Sequence, residues 1–127
     1  MCINHIAAIV IDAALAIHRQ LGSGLLESVY QEILCHELRK RGLQVVKEAP
    51  IPLWWKGTRL DTGYRADLLV GDELIVELKS VEHVTPAHKK QVLTYLRLAD
   101  KRLGLLLNFG ERLLKNGITR IANGMTE

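Results

Sequence analysis

Cysteine and proline are scarce in this chain of 127 residues, which holds two of the former and three of the latter. The cysteines, Cys2 and Cys35, show no CxxC or Cys/His ligand spacing, so the sequence excludes a disulfide framework and does not support a zinc site. Internal repeats, low-complexity tracts and Pro/Ser-rich linkers are also missing, and nothing argues for a second domain. We therefore expect residues 1–127 to form a single domain.

A long hydrophobic run is missing as well. The most apolar segment, Ile3 to Ile17, is interrupted by Asp12, and no Lys or Arg precedes it. It is too short to span a bilayer and does not have the charge pattern of a signal peptide. Its apolar residues recur at helical spacing, which predicts an amphipathic helix. We expect a cytoplasmic protein with no membrane partner.

A strong excess of one charge is absent too, since 17 Lys and Arg stand against 14 Asp and Glu, a net charge of +3. The resulting pI near 9.0 leans towards a polyanionic partner such as nucleic acid. A solvated basic surface explains the charge equally well.

The remaining pattern predicts the order helix, helix, strands, helix, strands. Helices are predicted at about 3–19, 26–41 and 86–99, and strands at about 45–46, 51–55, 59–60, 64–70, 74–79, 103–109 and 118–121. Gly71-Asp72 is a hairpin signal, and Asn116-Gly117 between Leu113-Leu114 and the last strand predicts a closing hairpin. The fold class is α/β or α+β, with a mixed sheet flanked by helices.

Acidic residues interrupt both strands of the Gly71-Asp72 hairpin. Strand alternation places Asp67 on one face, opposite Ala66 and Leu68, and puts Glu77 and Lys79 together on a face of the partner strand. Closing the hairpin over a three-residue loop would bring the two carboxylates to the same side. An ordinary Glu-Lys ion pair at a solvent-facing strand end is the alternative.

Two carboxylates on adjacent strands suit Mg²⁺ or Mn²⁺, which prefer oxygen ligands, and a neighbouring lysine can stabilise charge that develops on a phosphate. Glu27 offers a third carboxylate, because its position in the second helix places it at the edge of the apolar face. Its alternative role is to favour the helix macrodipole.

Other polar and aromatic groups are ambiguous. His88, Gln91 and Tyr95 form one stripe of the third helix, which could contact a phosphate or simply separate core from solvent. Trp54-Trp55 could stack on bases, but strand alternation favours one core and one rim tryptophan.

Several spaced motifs carry a resemblance to a known family. They are GLLESVY at Gly24 to Tyr30, YRADLLV at Tyr64 to Val70, and ELIVELK at Glu73 to Lys79. Together they resemble the GxxExxY family of small prokaryotic proteins, which is assigned to the PD-(D/E)XK nuclease superfamily. Gln91 and Tyr95 resemble a QxxxY element of its RecB-like branch. Ala66 replaces the proline of the PD pair.

The resemblance implies a restriction-endonuclease-like αβββαβ core with an extra N-terminal helix. It also implies Mg²⁺ (or Mn²⁺) bound by Asp67, Glu77 and the main-chain carbonyl of Leu78, with Glu27 as a further or water-mediated ligand. Lys79 would position the attacking water, and Gln91 and Tyr95 would steady the phosphate.

The expected function is therefore a Mg²⁺-dependent nuclease that hydrolyses phosphodiester bonds, with DNA as the favoured substrate. The alternative is a catalytically silent module of the same fold that binds nucleic acid or a partner protein. A homodimer, or a place as a subunit of a larger assembly, is compatible with either function.

Overall fold

The computed structural model describes residues 1–124, so the last three residues of the expected domain, 125–127, lie outside the described range. The helices are α1 (Ile3–Leu21), α2 (Glu27–Lys40) and α3 (Pro86–Ala99), and the strands are β1 (Val45–Pro50), β2 (Leu53–Trp55), β3 (Thr58–Leu60), β4 (Arg65–Val70), β5 (Leu74–Lys79), β6 (Leu103–Asn108) and β7 (Ile118–Ala122). The bounds of the helices and of β4 to β7 follow the predicted elements closely, whereas β1 continues past the predicted 45–46 to Pro50 and β2 begins at Leu53 instead of Ile51.

A mixed five-stranded sheet in the order β1-β4-β5-β6-β7 forms the centre of the molecule. Strands β5 and β6 pair in parallel, and the other neighbours pair antiparallel. Helix α3 makes the crossover that a parallel pair requires. The order α2-β1-β4-β5-α3-β6 is the expected αβββαβ core, with β2 and β3 forming a separate hairpin between β1 and β4.

Helices cover both faces of this sheet. One apolar cluster joins α1 and α2 to the sheet, and a smaller one joins α3 to the opposite face. Every residue of β6 is buried as a result, as expected for a central strand covered on both sides. Within the described range, no helix is both long and apolar enough to cross a membrane.

Helix α3 begins where its sequence predicts. Thr85 Oγ1 accepts from the main-chain nitrogen of His88 at 3.3 Å, and the Thr85 nitrogen donates to His88 Nδ1 at 3.1 Å. This reciprocal pair is a capping box with His88 in place of the usual Glu or Gln, and Pro86 takes the first helical position.

The predicted closing hairpin is wrong in its first arm. Leu113 and Leu114 form no strand, and residues Leu114–Gly117 make a 3₁₀ turn instead. Strand β7 pairs with β6. The reason is that Leu114 packs into the core cluster beneath α1 and α2, so its apolar character reflects a buried turn.

Candidate active site

The β4–β5 hairpin has the even register that its loop predicts. Val70 pairs with Leu74, and two further pairs lead to Leu68 and Val76. The loop of Gly71, Asp72 and Glu73 is tight, since Gly71 and Asp72 have φ of 60° and 58°. In this register Asp67 is the next residue opposite Glu77.

At Asp67 the main-chain ladder gives way to side-chain bonds. The main-chain nitrogen of Asp67 donates to Glu77 Oε1 at 2.8 Å, and the main-chain nitrogen of Leu78 donates to Asp67 Oδ2 at 2.9 Å. Each carboxylate therefore satisfies a backbone donor of the partner strand and is held by it. The acid pair, as we name Asp67 and Glu77, is fixed in place by the hairpin itself.

The pairing of β1 with β4 is distorted at the same point. Opposite Asp67, Glu48 of β1 has φ of 52°, which is costly for a residue other than glycine. Alternation predicted that Ala66 shares a face with Leu68, but Ala66 packs in the cluster under α3 and Leu68 in the cluster under α1 and α2. The prediction was wrong because the twist at Glu48 and Asp67 changes the face that β4 presents.

Burial gives the acid pair unusual electrostatics. Glu77 is only 4% exposed, and burial, followed by the nearby charge of Asp67, raises its pKa to about 8. Burial also raises the pKa of Asp67, although the bond from the Leu78 nitrogen opposes this. A buried carboxyl and a half-buried one this close cannot both ionise cheaply at neutral pH, so a proton or a cation between them is favoured.

A divalent cation fits this arrangement chemically. Carboxylate oxygens are the ligands that Mg²⁺ and Mn²⁺ prefer, and a cation would offset the burial that raises both pKa values. Within residues 1–124, however, no three His, Cys, Asp or Glu side chains are grouped to hold a metal. The side-chain ligands present are the acid pair alone, and further ligands would come from main-chain oxygens such as that of Leu78, or from water.

Lys79 lies beside the acid pair as the sequence predicts. It is half-buried at the end of β5, and its positive charge lowers the pKa of both Asp67 and Glu77. The ammonium group is thus within electrostatic range of both carboxylates.

The polar stripe of α3 divides between two roles. Tyr95 is 6% exposed, and its pKa is raised by burial and then by the charges of Glu77 and Asp67, while a hydrogen bond with the Gln91 side chain lowers it. Gln91 and Tyr95 therefore border the acid pair. His88 belongs to the helix cap described above.

Glu27 begins α2 on the same side of the molecule. Its charge contributes to the raised pKa of Asp67, so the two carboxylates interact electrostatically. Its helical position predicted a side chain at the edge of the apolar face. The side chain is exposed instead. As the first residue of the helix it has no preceding turn to cover it.

The loop before α2 is anchored from two sides. The Tyr30 hydroxyl donates to the Gly22 carbonyl and accepts from the Leu25 nitrogen at 3.2 Å, while its buried ring stacks on Phe109 with centroids 4.3 Å apart. Ser80 Oγ, one residue beyond Lys79, donates to the Leu25 carbonyl at 2.9 Å. These bonds hold the start of α2, and hence Glu27, next to the end of β5.

Sequence reasoning missed two neighbours of the site. Gln31 Nε2 donates to Glu48 Oε1 at 2.8 Å and approaches the Asp67 carbonyl at 3.4 Å. It lies one helical turn after Glu27, and this spacing is the signal that could have revealed it. Tyr64, whose ring is 5.7 Å from that of Tyr95, had no such signal.

This molecule has an αβββαβ core that holds an acid pair where the pairing of β4 with β5 ends, with Lys79 two residues after Glu77. The model of the PD-(D/E)XK nuclease superfamily matches residues 4–121. The chain belongs to this superfamily, whose members are generally metal-dependent nucleases. Comparisons with curated proteins and with solved structures gave no match.

Proposed function

We propose that this chain is a nuclease that requires Mg²⁺ or Mn²⁺ and hydrolyses phosphodiester bonds in DNA. The observation that carries the proposal is the acid pair. Asp67 and Glu77 face each other where the pairing of β4 with β5 ends, each fixed by a main-chain donor, and both have raised pKa values. Ionising both members of this pair is costly unless a cation is bound near them.

The ligands of the cation would be the acid pair and the main-chain carbonyl of Leu78, with Glu27 acting through water. When bound, such an ion supplies Lewis-acid stabilisation of a phosphate and lowers the pKa of water. This donor set contains only oxygen, which favours Mg²⁺ or Mn²⁺ over zinc.

The chain's own residues would do the remaining work. Lys79 provides a fixed positive charge where negative charge develops in the transition state. Tyr95 and Gln91, which bond to each other, offer a hydroxyl and an amide to a phosphate oxygen. Burial of Glu77 and Tyr95 limits water around these groups, which strengthens their electrostatic effect.

We also propose that the chain is a GxxExxY protein within the superfamily. The spacing of Gly24, Glu27 and Tyr30 supports this assignment. The contacts of Tyr30 give this spacing a physical basis, because the tyrosine anchors the loop that leads into Glu27.

The test is cleavage of labelled single- and double-stranded DNA and RNA in the presence of Mg²⁺, Mn²⁺ or EDTA. We expect metal-dependent cleavage of DNA by the wild type and at least about a 10²-fold loss in Glu77→Gln. The control is Glu73→Gln, which changes an exposed carboxylate in the adjacent loop. A wild type that binds DNA equally in EDTA and never cuts it would indicate a silent binding module instead.

A further inference from the structure

An exposed hairpin arm projects from the strand that carries Asp67. The arm comprises residues 52–63, with β2 and β3 joined by a Lys56-Gly57 turn. Its base is closed where the Ile51 nitrogen donates to the Tyr64 carbonyl at 2.9 Å and Thr62 Oγ1 donates to the Ile51 carbonyl at 2.7 Å. The arm is thus an ordered extension that does not join the central sheet.

Both tryptophans of the chain lie on this arm, and neither is in the core. Trp54 and Trp55 are each 61% exposed, which overturns the expectation of one core and one rim tryptophan. The expectation failed because β2 pairs only with β3 and stays outside the central sheet. Because the two residues are consecutive in β2, their side chains lie on opposite faces of the hairpin, and large aromatic side chains left in solvent on both faces indicate a binding surface.

Each indole has a cation next to it. Trp54 pairs directly with Arg59, and directly paired residues project to the same side. Lys56 Nζ is 5.7 Å from the centroid of the Trp55 ring. Arg59, Lys56 and Arg65 form no ion pair within residues 1–124.

The charge of the region matches a polyanion. Residues 52–65 contain three cations, Lys56, Arg59 and Arg65, and one anion, Asp61, a net charge of +2. Trp54 also borders an apolar cavity of about 330 Å³ whose wall includes Ile51 and Leu98. A planar ring can enter there against the indole, since ligand pockets start at about 300 Å³.

The arm leads directly to the acid pair. Tyr64 closes its base and lies three residues before Asp67, about 10 Å along an extended strand. The Tyr64 ring is 5.7 Å from the Tyr95 ring. The charges of both acid-pair carboxylates contribute to the raised pKa of Tyr95, so its hydroxyl lies near them. A strand of nucleic acid lying on the arm would therefore pass into the site.

We propose that the arm binds single-stranded nucleic acid, with bases stacked on Trp54 and Trp55 and phosphates contacted by Lys56, Arg59 and Arg65. This inference rests on the proposed function, because it assigns the substrate of that site to a single-stranded segment. Single strands fit because their bases expose flat faces to aromatic side chains, whereas duplex bases cover each other's faces.

The experiment uses the two tryptophans as reporters, since their fluorescence comes from the arm alone. Unlabelled DNA or RNA single strands, or a blunt DNA duplex of the same sequence, are titrated in EDTA, where metal-dependent cleavage cannot occur. Binding of dye-labelled strands is followed in parallel by anisotropy. We expect both single strands to quench the tryptophan fluorescence and the duplex to quench it far less, and the relative affinities distinguish DNA from RNA.

The variants isolate stacking from charge. Trp55→Ala should raise Kd by about 5- to 100-fold, and Trp55→Phe should retain most of the affinity. Arg59→Gln should lower the salt dependence of log Kd by about 0.7. Val46→Ala, which trims another exposed apolar residue, and Lys40→Gln, at the far end of α2, should bind as the wild type does. Trp54→Ala should raise Kd in the same way as Trp55→Ala, and Trp55→Ala with Trp55→Phe carries the test if Trp54→Ala does not fold.

The possible outcomes separate this inference from the proposed function. Wild-type affinity in both Trp54→Ala and Trp55→Ala, equal quenching by the duplex, or no binding of any nucleic acid would overturn the inference. The first two outcomes are compatible with active cleavage. Tryptophan-dependent binding by a chain that never cuts would support the arm and overturn the nuclease. Binding of a protein partner by the arm, with no quenching by nucleic acid, would also overturn the inference.

Discussion

At the scale of single residues, the raised pKa values of Asp67 and Glu77 determine at which pH each carboxyl is charged. Asp67 and Glu77 are held by the donors of each other's strands, so neither carboxyl can swing away when both become charged. In the folded chain, burial and the nearness of the two groups therefore oppose the ionisation of both carboxyls, and a proton or a cation relieves this cost.

This cost of ionisation predicts that the stability of the metal-free protein depends on pH. The pKa of Glu77 rises from 4.5 to about 8 on folding, so its contribution to stability is complete below about pH 4.5 and is lost as the pH rises through about 8. Glu77→Gln stays neutral throughout. Relative to the wild type, it should gain about 1 kcal/mol or more between pH 5 and pH 8, measured by urea unfolding in EDTA. Glu73→Gln is the control, and a difference that does not change with pH would contradict the raised pKa.

Lys79 should separate catalysis from metal binding. Lys79→Ala leaves both carboxylates in place, and it removes a positive charge that would oppose a cation. Metal affinity should be kept or increase slightly, while cleavage should fall by about 10²-fold because a charge-stabilising group is lost. Titration calorimetry with Mn²⁺ and single-turnover cleavage measure the two effects, with Lys40→Ala as control. A parallel loss of metal binding would place Lys79 in a structural role.

At the scale of elements, the start of α2 depends on contacts outside the helix. Its N-cap, Leu26, makes no side-chain capping bond, which leaves the position of Glu27 to Tyr30, Ser80 and the loop they hold. The tyrosine of the GxxExxY pattern is therefore a buried anchor and does not face the acid pair.

Tyr30→Phe tests this anchor. The ring would still stack on Phe109, but the bonds to Gly22 and Leu25 would be lost, which should cost about 1–2 kcal/mol of stability. Cleavage should also fall, because Glu27 is less firmly placed. Unfolding and cleavage are compared with those of Cys35→Ala, a buried change on the same helix. Equal cleavage in both variants would show that the loop does not position Glu27.

On the scale of the whole molecule, the proposed metal site would couple metal binding to folding. Both proposed ligands lie in the central hairpin, and the unfolded chain does not bring them together. Saturating Mn²⁺ or Mg²⁺ at about 100 times Kd should therefore stabilise the protein by about 2.7 kcal/mol, several degrees in Tm. Scanning calorimetry should show this shift in the wild type, larger at pH 8 than at pH 6, and little of it in Glu77→Gln. An equal shift in both proteins would mean that the metal binds elsewhere.

Local pattern was sufficient for much of this architecture. The bounds of α3 and β5 and the pairing of β4 with β5 follow from capping residues, alternation and a three-residue loop. These features depend on neighbours close in the chain, and so the sequence by itself determined them.

Only the tertiary structure decided which groups are covered and which are left in solvent. Trp54 and Trp55 are exposed because their hairpin leaves the sheet, Ala66 changes face because β1 and β4 twist together at Glu48, and Glu27 is exposed at the first position of α2. Periodicity gives the direction of a side chain relative to its own element. It does not say which other element lies there, because that depends on contacts between residues far apart in the chain.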